Sequence, residues 1–215
     1  MEESTAAEGD APRTEAVDGK YFCESYLYTG VIAVLLLVAV ASIFALPWPH
    51  NVFAMLLGWT MLAIAVADML ARIIPDVLSL PAIPAGLLLS GNLYDTTTSE
   101  LVALDHVVAL CAASCSFAAL RYAYRRLRDR EGLGLGDVKL AAAAGAWTGT
   151  NGVCDVILFA SLSALAVFYV KRLFDTDMPP LGDVAIPFGA FLAPAIWLVW
   201  SLQRVSFTPF AVYGP

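Results

Sequence analysis

A helix needs roughly 20 mainly apolar residues to cross a bilayer, and from Tyr28 onward this chain supplies one such run after another. Of its 215 residues, 60% are hydrophobic and 14% are charged. A soluble domain is about half apolar and about a quarter charged. That difference excludes a soluble globular fold. The expected fold class is all-α: a polytopic membrane protein with about seven transmembrane helices.

The apolar runs fall at 28–46, 52–74, 77–90, 101–124, 137–148, 152–170 and 184–202. Prolines punctuate them. Pro47-Trp48-Pro49 closes the first, Pro75 ends the second, and Pro81 and Pro84 are expected to break the short third. The basic residues set the orientation. Arg72, the cluster from Arg121 to Arg130, and Lys171-Arg172 all fall on one side of the alternation, whereas loops 47–51, 91–100 and 149–151 carry no Lys or Arg. The basic side is the cytosolic one, so the N-terminus is expected in the cytosol and the C-terminus outside. Residues 1–26 hold Glu2, Glu3, Glu8, Asp10, Glu15, Asp18 and Glu24 against Arg13 and Lys20, much of the net charge of −7. With no apolar run, that segment reads as a disordered acidic tail. It lacks the basic start and apolar core of a signal peptide. The expected organisation is tail 1–26, an N-terminal helix in 27–49, a membrane core 50–203 and a short outer tail 204–215.

Charge inside these runs carries the chemistry. Gly132-Leu133-Gly134-Leu135-Gly136-Asp137-Val138-Lys139 leads an acid into an Ala-rich apolar segment. An acid at the edge of hydrocarbon costs several kcal/mol unless partnered, so it is a functional candidate by default. Glycines at 134 and 136 remove side chains and let another backbone come close. A second acid, Asp68, lies inside the run that ends at Pro75. Two crossings separate Asp68 from Asp137, which puts both on one membrane face in either orientation. Two carboxylates in contact do not both ionise cheaply and tend to share a proton. The ionised member can take a proton from water and the protonated one can donate to a carbonyl. Pairing of Asp68 with Arg72 one turn along is the structural alternative, and a proton relay in a transporter or assembly factor is the functional one.

Other candidates are weaker. Asp105-His106 and Asp155 fall at the opposite face and read as solvated helix ends. Cys111 and Cys115 share a helix face and read as buried packing thiols. No CxxC pair, and no His beside a Cys, suggests metal. The arginine cluster is a topology signal, and no nucleic-acid partner is expected.

Three blocks carry a family resemblance. The first is Asp68 with Ile74-Pro75-Asp76 following. The second is Gly134-Leu135-Gly136-Asp137-Val138-Lys139-Leu140. The third is Ile186-Pro187-Phe188-Gly189-Ala190-Phe191-Leu192. In this order the chain resembles the type IV prepilin peptidases, members of the GxGD intramembrane aspartic proteases. The resemblance implies a catalytic pair, Asp68 and Asp137, with Gly134 and Gly136 lining the substrate's approach. It implies removal of a short basic leader from prepilin or pseudopilin precursors, after a Gly, at the cytosolic face of the bacterial inner membrane. Type IV pilus assembly or a related secretion system would be served. Asp76 and Lys139 match the pattern in supporting roles: Asp76 as a cap on the third helix, Lys139 as partner to a nearby acid or as a surface anchor. Members with a cysteine-rich domain also N-methylate the new terminus. This chain shows no such cysteines, so it resembles a reduced, peptidase-only form with no metal and no cofactor expected.

Overall fold

The computed structural model describes residues 33–34, 36–38, 40–46, 48–92, 99–128, 132–174 and 187–207. The acidic tail 1–26 and the loop segments 93–98, 129–131 and 175–186 lie outside the described residues, as does 208–215. Among the described residues there is no strand. The helices are α1 (Leu36–Ala45), α2 (His50–Ala71), α3 (Asp76–Asn92), α4 (Ser99–Arg128), α5 (Leu135–Phe174) and α6 (Gly189–Phe207). Among these, α2, most of α4 and most of α5 are long and apolar enough to cross a membrane. Large apolar side chains face outward along the bundle, among them Leu37, Phe44, Leu104, Leu127, Leu162 and Leu173. An outward apolar surface of that extent belongs in lipid. The protein is a multi-pass helical membrane protein.

The link between α2 and α3 positions the site. Arg72 ends α2 in the left-handed region (φ 54°, ψ 35°), and its N–H donates to the Asp68 carbonyl at 2.9 Å. Pro75 then disfavours helix at Ile74, so the chain cannot resume its helix until Asp76. Ile73 faces outward and Ile74 inward. Contrary to expectation, Pro81 and Pro84 do not break α3, which runs through both. Each proline removes one N–H, a loss that a membrane helix tolerates when neighbours stabilise the freed groups. The prolines free the carbonyls of Val77 and Leu80; separately, α3 is tied to α5 between the two prolines, where Trp147 Nε1 donates to the Ala82 carbonyl at 2.8 Å.

The first half of α5 is the centre of the bundle. Residues 140–149 are buried without interruption. Small residues allow this. An added Cβ at Gly145 would fall on the backbone of Ala109 and Leu110 in α4, and one at Gly86 of α3 would fall on Trp147 and the Ala146 carbonyl. Small residues at such contacts let helix backbones approach closely in lipid. At Gly149 the helix breaks (φ 66°, ψ −175°), a conformation open to glycine alone at low cost. The chain turns back there. Gly152 lies against Gln203 at the far end of α6, while Phe159 and Ser163 line a cavity with Phe191, Pro194 and Leu198 nearer its start. The second half of α5 therefore runs antiparallel to α6, as the two separate apolar runs led us to expect. Trp200, Met61, Ile64, Leu140, Leu192 and Ile196 fill the interior between α2, α5 and α6.

Helix α6 continues to Phe207, beyond the expected end at 202, and buries Arg204 over the Trp200 ring. Two further expectations are corrected. Asp105 and His106 are not a solvated helix end. His106 is buried, with Nδ1 2.9 Å from the Ala146 carbonyl. The Asp105 carboxylate accepts from the N–H of Thr150 at 3.0 Å and from its hydroxyl. It thus caps the helix that restarts after Gly149. Cys111 and Cys115 do share a face of α4, but that face is exposed rather than packed.

Candidate active site

Asp68 sits in the last turn of α2 and is buried. Its Oδ2 accepts from the N–H of Ala190 at 2.8 Å. Ala190 is in the first turn of α6, where N–H groups have no partner within their own helix. An anion is favoured at such a terminus by those donors and by the helix dipole. Asp68 is thus held by a helix that begins more than a hundred residues later. Its alternative partner, Arg72, has turned into the left-handed cap of α2 and forms no ion pair with it among the described residues.

Asp137 is held in the same manner by its own helix. Gly134 is the residue before α5 begins, and Asp137 is the third residue of its first turn. Its Oδ2 accepts from the Gly134 N–H at 3.1 Å. An acid at this position reaching back to the capping residue is one arm of a capping box. A side chain at Gly134 would crowd that oxygen: an added Cβ would lie 3.2 Å from it. Asp137 is also buried.

Ile74 lies between the two acids' supports. An added Cβ at Gly136 would come within 2.7 Å of the Ile74 Cβ. One at Gly189 would come within 2.7 Å of the Ile74 Cδ1 and 2.9 Å of Asp68 Oδ2. Gly136 precedes Asp137, and Gly189 precedes the donor to Asp68. Both glycines leave room for one buried isoleucine. Sequence reasoning did not single out Ile74. Its place in the first block, directly before Pro75, was the available signal.

The supporting residues also come together. Lys139 Nζ donates to Asp76 Oδ1 at 2.6 Å. Asp76 lies in the first turn of α3, where an acid suits the helix dipole, but its side chain is committed to Lys139 rather than to a cap. Of the alternatives for Lys139, pairing with an acid is the one adopted.

The class these features define is a multi-pass helical membrane protein with two acids buried at one end of the bundle, each held by the start of a helix. Residues 55–169 match the type IV leader peptidase family, and the chain belongs to that family. It is 34% identical over 193 residues to a prepilin leader peptidase/N-methyltransferase of Aeromonas hydrophila, covering 86% of this chain and 62% of the relative. A protein of the same name from Dickeya chrysanthemi is 40% identical over 133 residues, covering 61% of this chain and 44% of the relative. One from Xanthomonas campestris is 30% identical over 186 residues, covering 85% and 60%. The chain therefore spans about three fifths of the length of the first of these relatives. No solved structure matches the chain significantly.

Proposed function

We propose that this protein is a membrane aspartic endopeptidase that removes the short basic leader of type IV pilin-like precursors after a glycine. The observation that supports the reading is the pair of buried carboxylates, Asp68 and Asp137, from different helices, whose neighbouring glycines Gly189 and Gly136 both pack on Ile74 at one end of the bundle. One acid, ionised, takes a proton from a water molecule, and the water oxygen attacks the scissile carbonyl carbon. The other, protonated, donates to the carbonyl oxygen. Collapse of the tetrahedral intermediate breaks the C–N bond, and the leaving amine takes up a proton. Because two such acids titrate as a unit, the roles belong to the pair.

The remaining assignments rest on family membership and on charge placement. Gly134 and Gly136 border the path of an extended substrate. Asp76 and Lys139 hold the starts of α3 and α5 together. The basic residues Arg72, Arg125, Arg126 and Arg128 support a reading in which the acids lie at the cytosolic face of the bacterial inner membrane, with the N-terminus in the cytosol and the C-terminus in the periplasm. Residues 50–203 form the peptidase core, 27–49 an added helix in the bilayer, and 1–26 an acidic tail. The proposal is confined to the peptidase half of the activity named for the relatives.

The test is co-expression with a pilin-like precursor whose leader is rich in Lys and Arg and ends in Gly. Mass spectrometry should show a new N-terminus directly after that glycine. A precursor that stays intact while the protein is present and folded in the membrane contradicts the proposal.

A further inference from the structure

Resting on the peptidase reading above, we infer that Ile74 sets the size of the substrate residue on the acyl side of the scissile bond, by filling the space beside both acids that a side chain there would need. Three observations carry this. Ile74 is 9% exposed although it belongs to a linker, not a helix. Two glycines far apart in sequence, Gly136 and Gly189, vacate space for the same side chain. Those glycines are neighbours of Asp137 and of the donor to Asp68. Ile74 is therefore the large apolar side chain seated between the two halves of the site. Pro75 fixes it there by preventing α2 and α3 from joining into one helix.

The consequence is steric. A peptide carbonyl presented to both carboxylates must bring its own Cα into the neighbourhood of the Ile74 side chain. A glycine at that position adds nothing to the crowding. An alanine adds a Cβ where the isoleucine already stands. This supplies a physical reason for cleavage after glycine. Close-packed interiors register the change of a single methylene, and pockets discriminate one such group by about 10- to 200-fold.

The experiment compares two precursors that differ only in Gly or Ala before the scissile bond, cut by the full-length chain in detergent or liposomes. The unmutated protein should prefer the Gly precursor by about tenfold or more. Ile74→Ala should raise the Ala/Gly ratio of kcat/KM by about tenfold and still cut the Gly precursor. Ile74→Val, which removes one methyl, should move the ratio in the same direction by less, and it decides the matter if Ile74→Ala does not fold. An unchanged ratio in a folded variant that cuts the Gly precursor overturns the inference and leaves the peptidase reading standing. So does an equal loss on both precursors, which would mark Ile74 as packing alone. Failure of the unmutated chain to cut either precursor overturns both.

Discussion

The Lys139 ammonium lies 2.6 Å from Oδ1 of Asp76. This contact ties the N-terminal part of α5, where Asp137 lies two residues before Lys139, to the first turn of α3, which follows Ile74. Both side chains are partly open to solvent, at 34% and 58% exposure, and exposed pairs contribute about 0.2–1 kcal/mol. The pair is accordingly a positional tie more than a source of stability. We expect Lys139→Met and Asp76→Asn each to lower thermal stability slightly. A double-mutant cycle on unfolding in detergent should return a coupling of about 1 kcal/mol or less. Cleavage should fall several-fold in both single variants. A coupling indistinguishable from zero, with undiminished cleavage, would remove the tie from the account.

Gly136 and Gly189 should each reject alanine for one shared reason. The added methyl at either meets Ile74 at less than any real contact distance, and at Gly189 it also meets Asp68. Overpacking of this kind costs about 1–3 kcal/mol. Gly136→Ala and Gly189→Ala should lower the melting temperature and depress cleavage. Combining Gly189→Ala with Ile74→Val, which removes the Cδ1 that the added methyl meets, should restore part of the stability that the first change removes. Melting curves of the single and double variants measure this, and strict additivity would show that the two positions do not share the space.

The reversal at Gly149 makes a prediction for the other end of the molecule. Asp105→Ala removes the acceptor for the Thr150 N–H and hydroxyl, and loss of a helix cap costs about 1–2 kcal/mol. Gly149→Ala forces a side chain into φ 66° and against the Asp105 carboxylate, at about 1–3 kcal/mol. Both variants should melt earlier, while the folded fraction cleaves precursor at the unmutated rate. Reduced cleavage per folded molecule would show that this distant cap also positions the acids.

Much of this was legible in the residues. Asp68 stood out because a carboxylate within an apolar run is costly. Asp137 stood out because glycines preceded it. Counting crossings put the two on one face. The turn at 149–151 showed as a gap between two apolar runs. What escaped had physical causes. Pro81 and Pro84 read as breakers because the local rule is strong, and the support α3 draws from Trp147 is tertiary. Asp105-His106 read as solvated because burial at a helix end depends on what packs there, here Ala146 and Thr150. The role of Gly189 was hidden because the donor to Asp68 is the backbone of Ala190, and any residue but proline carries that N–H. Ile74 looked like one more apolar residue in an apolar chain. Only the three-dimensional coincidence of Gly136 and Gly189 distinguishes it.

The most direct measurement is cleavage by the purified full-length protein carrying Asp68→Asn or Asp137→Asn. Asparagine keeps an oxygen to accept from Ala190 or Gly134, so the fold should hold, but it neither takes a proton from water nor donates as an acid does. Each substitution should lower kcat by about 10²- to 10⁴-fold while the precursor still binds. Cleavage at the unmutated rate by either folded variant would contradict the paired-acid mechanism.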